Sequence, residues 1–156
     1  MQKPIVTKEF QFDAAHMLTG HEGLCKNLHG HTYKVEVGIT GLMGMHGPAE
    51  GMIMDFKALK ECCNEALFDK LDHAYIYNSE VEDDGEADLL EVEIAEILSQ
   101  YGRRVYDMRM RPTAENMSRQ FFTILYNVIR LASNGYTSLV YVRVYETPTS
   151  YAEVHV

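Results

Sequence analysis

The sequence has 156 residues, enough for one domain with a buried core, and it shows no basic patch of the kind that a nucleic-acid-binding surface requires. Most of its formal net charge of −9 comes from residues 80–93, which contain eight acids and no base. This acidic run predicts a solvated loop or an exposed helix start. The chain lacks the apolar run of about 18 residues that a membrane span needs and has no secretory signal at its start, so we expect a soluble, cytoplasmic protein.

Two strands are predicted first along the chain. Residues 5–16 are predicted to form a strand because Phe10, Phe12, Ala14 and His16 share one side of it. Residues 29–40 show the same pattern, and His29 and His31 share one side of that strand. Neighbouring antiparallel strands lie about 4.8 Å apart, so the three histidines are expected to meet at paired strand ends.

The connections and the first helix follow. The link 17–28 is too long for a tight hairpin turn, which predicts a functional loop, whereas the segment 41–51 is a connection rich in Gly and Pro. Residues 55–68 predict a helix with Asp55 as its N-cap. Its two adjacent cysteines are expected to be small packing residues, and all three cysteines of the chain are expected to be reduced.

The middle of the chain has weaker signals. Residues 71–78 are expected to form a loop or a short irregular segment, residues 88–101 an extra helix and residues 103–110 a strand-like return. The strongest helix prediction covers residues 112–132, which begin with Pro-Thr and present a continuous apolar stripe.

Two strands, 138–146 and 151–156, are predicted to end the chain. The element order is therefore ββααββ with an inserted segment between the helices. This order predicts a single α+β domain over residues 1–156, with an antiparallel four-stranded sheet and two helices on one face.

The three histidines suggest a metal site. Neutral imidazole is the usual zinc ligand, and three protein ligands with an open position are typical of catalytic zinc. Cys25 has two possible roles: it could be a fourth ligand that closes a structural site, or a free thiol whose pKa is lowered by a nearby cation. Its position in the sequence does not distinguish them. His21, His46 and His155 have no comparable support.

Two further groups could belong to a site. Asp72 and His73 are adjacent, and a carboxylate beside an imidazole orients it and raises its pKa; the alternative is a local backbone cap beside a surface histidine. Glu146 shares a side with core-facing valines, so its carboxylate must find a partner. It could accept two N–H bonds from a flat heterocycle or form a structural ion pair.

Several motifs together resemble the 6-pyruvoyl-tetrahydropterin synthase family. They are, in order, FDAAH, the cysteine with HGHTYKVEV, GMIMDF, LDHAYIYN, RPTAEN and VRVYETPTSYAEV. The resemblance runs from residue 12 nearly to the C-terminus, apart from the stretch 79–110. Three residues separate Cys25 from His29, which resembles the bacterial 6-carboxy-tetrahydropterin synthases of queuosine biosynthesis, because pyruvoyl-forming members have a longer gap.

The resemblance implies a T-fold, or tunnelling fold, whose subunits associate into barrels, usually as trimers paired into hexamers. It implies Zn²⁺ bound by His16, His29 and His31. It further implies that Cys25 stays off the metal as the proton acceptor, with Asp72 and His73 as its relay partners.

The implied substrate is 7,8-dihydroneopterin triphosphate, with Glu146 anchoring the pterin ring beside Thr147, and Glu115 near the substrate at a subunit boundary. The implied products are 6-carboxy-5,6,7,8-tetrahydropterin, acetaldehyde and triphosphate. The sequence does not identify the residues that would hold the triphosphate, although Lys26 and Lys34 lie near the matching motifs.

Two alternatives remain at this level. One is another reaction on the same scaffold, either pyruvoyl formation or side-chain cleavage of dihydroneopterin. The other is a non-catalytic module that binds zinc or a pterin. The stretch 79–110 is an insertion relative to compact family members, and it is expected to be either a peripheral decoration or a modifier of the oligomer contact or of the site's mouth.

Overall fold

The computed structural model describes residues 3–80 and 86–156 of the chain. The acidic run is therefore described only in part, and residues 81–85, on which part of its prediction falls, lie outside the described residues. The elements in chain order are β1 (Val6–His16), β2 (His29–Gly41), α1 (Phe56–Cys63), α2 (Asp69–Leu71), β3 (Ala74–Tyr77), α3 (Glu86–Gln100), β4 (Val105–Asp107), α4 (Ala114–Ala132), β5 (Thr137–Thr147) and β6 (Ser150–His155).

The strands form one six-stranded sheet in the order β4-β3-β1-β2-β5-β6. The predicted antiparallel set is confirmed, since β1 pairs with β2, β2 with β5 and β5 with β6, all antiparallel. The prediction of four strands and of a loop at 71–78 is corrected, because β3 joins β1 in parallel and β4 joins β3 in parallel. Three of the four residues of β3 are buried, so this short strand has none of the alternation that marks a half-exposed strand.

The core lies between one face of the sheet and the helices α1 and α4. Phe12 of β1 stacks on Tyr33 of β2 with ring centroids 5.1 Å apart, and it meets Phe121 of α4 edge-on at 6.3 Å. Both helix starts have side-chain caps: Asp55 accepts hydrogen bonds from two backbone N–H groups of α1, and Thr113 accepts one from α4. A π-helical turn, Asn64–Phe68, joins α1 to α2.

The opposite face of the sheet carries a chain of ion pairs across four strands. Lys34 lies 3.5 Å from Glu9 and 3.0 Å from Glu36. Arg143 in turn lies 3.0 Å from Glu36 and 2.6 Å from Glu153. Lys34 is therefore committed to neighbouring carboxylates, which does not favour it as a triphosphate ligand.

The stretch 79–110 contributes α3 and β4, and α3 packs against β3 and β4. An open cavity of about 690 Å³ lies between the end of α3 and the sheet. Leu98 and Arg103 line it on one side, and Asp13 and Thr32 on the other. Among the helices of residues 3–80 and 86–156, we find none that combines the length and the apolarity needed to cross a bilayer.

Candidate metal centre and active site

The register of β1 and β2 brings three histidines together. His16 lies opposite His29, and Ala14 lies opposite His31, so the three imidazoles share the core side of the sheet at the ends of the two strands. One nitrogen from each ring lies within 4.8 Å of the others. His16 is buried, and the other two are half-buried. The predicted meeting of the three rings is therefore present in the structure.

Backbone carbonyls fix the orientation of two of the rings. The Nδ1 of His16 lies 2.8 Å from the carbonyl oxygen of Pro112, and the Nδ1 of His29 lies 2.7 Å from that of Asn27. A carbonyl only accepts hydrogen bonds, so each Nδ1 must carry the proton and each Nε2 keeps a lone pair. Histidine ligands of metals usually have this kind of outer partner.

The free lone pairs point at one another. The Nε2 atoms of His16 and His29 are 3.1 Å apart, and two acceptors at this distance repel unless a cation or a proton lies between them. Among the described residues, the buried Nε2 of His31 has no hydrogen-bond partner. These features fit a metal ion, and the three imidazoles could hold one.

The lowered pKa values of His16 and His31 fit metal binding. Burial lowers the pKa of His16 to about 4, against the raising effect of the Pro112 carbonyl, and the neighbouring histidines lower it further. Burial also lowers the pKa of His31, with Glu146 opposing the shift. Neutral imidazole is the form that ligates metals.

The Tyr33 hydroxyl lies 3.3 Å from both ring nitrogens of His16, and burial raises the pKa of this phenol.

Glu146 also lies beside the triad. Its Oε1 is 3.5 Å from the Nε2 of His16 and 3.7 Å from that of His31. It belongs to the end of β5, followed by Thr147, the last residue of that strand. A partly exposed carboxylate beside His16 and His31 could accept hydrogen bonds from a ligand that lies against the triad.

Cys25 lies close to the triad in sequence but outside its cluster of ligand atoms. It is half-buried in a short 3₁₀ helix, Leu24–Lys26. Its carbonyl oxygen accepts a hydrogen bond of 2.9 Å from the backbone N–H of Leu18, which closes the loop on itself. The thiol is therefore not among the clustered atoms that could hold a metal ion.

Asp72 and His73 form a separate pair. The Nδ1 of His73 lies 3.0 Å from Asp72 Oδ2, and the backbone N–H of Asp13 donates to Asp72 Oδ1 at 3.1 Å. This backbone hydrogen bond is the main reason why the pKa of Asp72 is lowered. His73 has a φ of 61°, which is uncommon for a residue other than glycine. Its side chain is 76% exposed.

The contacts between described residues do not join this pair to the histidine triad, although His31 and His73 both line the 690 Å³ cavity. Glu115 is exposed in the first turn of α4. The structure therefore gathers His16, His29, His31 and Glu146 into one cluster, and Asp72, His73 and Glu115 are not part of it.

Sequence reasoning missed the groups that hold the site in place. The carbonyls of Asn27 and Pro112 orient the imidazoles, but backbone groups leave no signal in the residue type. Tyr33 shares a side with His29 and His31, so the strand alternation could have placed its hydroxyl near the triad. Glu91, which binds the loop carrying Cys25, is concealed within the acidic run.

Comparisons with known proteins give one consistent result. The family model described as 6-pyruvoyl tetrahydropterin synthase matches residues 5–155. A Haemophilus influenzae protein named 6-carboxy-5,6,7,8-tetrahydropterin synthase is 38% identical over 148 residues, which cover 95% of this chain and 96% of that protein.

Solved structures show the same architecture. An uncharacterized protein from Wolinella succinogenes superposes with a TM-score of 0.74 at 22% identity, covering 99% of both chains. The 6-pyruvoyl tetrahydropterin synthase of Plasmodium vivax superposes with a TM-score of 0.69 at 22% identity, covering 100% of this chain and 99% of that one. The predicted α+β T-fold is confirmed, and the chain belongs to the 6-pyruvoyl tetrahydropterin synthase family.

Proposed function

We propose that the protein is a zinc-dependent 6-carboxy-5,6,7,8-tetrahydropterin synthase of queuosine biosynthesis. It would convert 7,8-dihydroneopterin triphosphate to 6-carboxy-5,6,7,8-tetrahydropterin, acetaldehyde and triphosphate. The observation that carries the proposal is the cluster of three imidazoles, oriented by backbone carbonyls, with the Glu146 carboxylate beside it. The name of the Haemophilus influenzae relative supports the choice of reaction.

His16, His29 and His31 would hold the zinc ion. When bound, zinc polarises hydroxyl oxygens and stabilises developing negative charge. Glu146 would accept hydrogen bonds from the amino and ring N–H groups of the pterin, with Thr147 beside it. Because the carboxylate lies within 3.7 Å of two imidazole nitrogens, a ring held there would present its side chain to the metal ligands.

Cys25 would remove a proton from a side-chain carbon, and His73, oriented by Asp72, would transfer protons on the other side of the substrate. Within one chain, Asp72 and His73 do not contact the triad. We propose a homo-oligomer in which the Asp72–His73 pair of one chain serves the Cys25 of another, which reconciles the separation with the relay role.

The direct test is product analysis. Zinc-loaded protein is incubated with 7,8-dihydroneopterin triphosphate, and the pterin product is identified by mass spectrometry. We expect 6-carboxy-tetrahydropterin together with acetaldehyde. A 6-pyruvoyl product would be consistent with the fold and the site but would contradict the proposed reaction. Unchanged substrate from a folded, zinc-replete protein would contradict enzyme activity on this substrate.

The role of Cys25 has its own test. Cys25→Ala should retain one zinc per chain and lower kcat by about 1,000-fold, because general acid–base catalysis contributes factors of this size. Zinc is measured by elemental mass spectrometry and turnover by product release. Cys62→Ala is the matched control, since Cys62 lies on α1, where its thiol donates to the Leu59 carbonyl, and it should keep both properties. Loss of zinc from Cys25→Ala would instead identify a closed structural site.

A further inference from the structure

Glu91 is a buried carboxylate on α3, within the stretch 79–110. The residue is only 3% exposed. Its Oε1 accepts two hydrogen bonds from Thr19, at 2.5 Å from the hydroxyl and 3.3 Å from the backbone N–H. Its Oε2 accepts a third, at 3.2 Å, from the backbone N–H of Asn78.

These three hydrogen bonds are the carboxylate's main compensation for burial. None of the ion pairs formed between described residues includes Glu91. Burying a carboxylate without partners is expensive, and hydrogen bonds to charged groups are stronger than neutral ones. The position of Thr19 relative to α3 is therefore tightly specified, unlike that of a residue in an ordinary surface contact.

Thr19 is also held from a second side. Its carbonyl oxygen accepts a hydrogen bond of 3.0 Å from Arg111 Nη2. Pro112 directly follows Arg111 in the chain and provides the carbonyl that orients His16. The hydroxyl, N–H and carbonyl of Thr19 are thus all engaged by residues that lie more than 70 positions away in the chain.

Thr19, held in this way, is connected through its neighbour Leu18 to Cys25, the proposed proton acceptor. Thr19 lies near the start of the loop 17–28, and the N–H of the preceding residue, Leu18, donates to the carbonyl of Cys25 at 2.9 Å. Displacing Thr19 would therefore move the backbone group that holds Cys25. A displacement of about 1 Å in a catalytic group can cost a factor of 100 in rate.

We propose that Glu91 is a positioning residue for Cys25, acting through Thr19 and Leu18, so that α3 is part of the catalytic apparatus of this chain. The assignment of Cys25 as proton acceptor rests on the proposed function, whereas the mechanical coupling between Glu91 and the thiol does not. The peripheral-decoration interpretation of the stretch 79–110 predicts no such coupling.

The test uses Glu91→Gln in the zinc-loaded, full-length protein. The amide keeps the shape of the side chain but directs an NH₂ group at one of the N–H or O–H donors, which breaks the acceptor pattern. Glu93→Gln is the matched control, because Glu93 is exposed on the same helix. Thr19→Val removes the hydroxyl from the other partner, and Thr19→Ser restores it.

The first readout is the rate of Cys25 alkylation by iodoacetamide, resolved from Cys62 and Cys63 by peptide mass spectrometry. We expect Glu91→Gln and Thr19→Val to raise this rate by about threefold or more, because a loosened loop exposes a half-buried thiol. We also expect kcat to fall by about 10-fold or more, with KM within about twofold, since positioning affects the chemical step. Thr19→Ser and Glu93→Gln should match the unmodified protein.

The outcomes separate the two proposals. Unchanged alkylation and kcat in folded Glu91→Gln and Thr19→Val would overturn the positioning role. If Glu91→Gln does not fold, Thr19→Val with its Thr19→Ser counterpart decides the same question. If alkylation responds as expected but the unmodified protein does not form the pterin product, the coupling is supported and the proposed function fails.

Discussion

The lone pairs of His16 and His29 face each other across 3.1 Å, which makes the triad a candidate site for a cation. We expect His29→Ala to lower bound zinc from about one per chain to below one tenth, because three protein ligands are the usual minimum for a catalytic zinc site. Elemental mass spectrometry after dialysis against a weak chelator measures this loss.

The control for this change is His46→Ala. His46 is an exposed residue between β2 and α1, so its loss should leave the zinc content unchanged. Full zinc occupancy in His29→Ala would contradict the assignment of the triad as the metal centre, whereas zinc loss in both variants would indicate a general effect of histidine removal rather than a site.

At the scale of the elements, the sheet depends on its chain of ion pairs. Glu36 lies between Lys34 and Arg143, each at 3.0 Å, and its side chain is 12% exposed. We expect Glu36→Gln to lower the free energy of unfolding by about 2 kcal/mol, because it weakens two charge-assisted hydrogen bonds and leaves two cations side by side. Urea denaturation followed by circular dichroism measures the change.

Glu9→Gln is the matched control on the neighbouring strand. Its carboxylate also pairs with Lys34, at 3.5 Å, but its side chain is 63% exposed. Exposed pairs contribute little, so we expect a change within about 0.5 kcal/mol. Equal effects of the two substitutions on the free energy of unfolding would show that burial does not determine how much each ion pair contributes to stability.

The strands and helices differ in how well the sequence predicts their position and pairing. β1 and β2 alternate clearly, so their pairing and the meeting of His16 with His29 and His31 could be predicted. β3 is too short and too buried to show alternation, so the sequence predicts an irregular segment there. The role of Glu91 could not be seen either, because its partners Thr19 and Asn78 are brought to it only by the packing of α3 on the sheet.

At the scale of the whole molecule, the described sheet is open, with β4 and β6 as its edges. Edge strands with unpaired backbone groups are available for pairing with other chains. We expect a homo-oligomer, measured by light scattering after size exclusion, with a mass three or six times that of one chain. A monomer at micromolar concentration would contradict the proposed relay between chains.

Complementation tests the same assembly through activity. Cys25→Ala and His73→Ala chains should each be inactive alone, yet their co-expressed mixture should recover activity if Cys25 of one chain meets His73 of another. Cys25→Ala co-expressed with the Cys25→Ala, His73→Ala double variant is the control and should stay inactive. A mixture without activity would place both residues in the same chain's site.

The hydrogen bonds that hold the triad and the Cys25 loop also constrain the order of folding. Pro112 lies 96 positions after His16, and Arg111 lies 92 positions after Thr19. During synthesis, His16 and the loop that carries Cys25 therefore leave the ribosome long before Pro112 and Arg111, whose groups hold them in place. Contacts of such high sequence separation form late, because the entropy of closing the intervening chain opposes them. The candidate metal centre is therefore expected to be complete only when most of the chain has been made, because until then the His16 imidazole lacks the carbonyl that orients it.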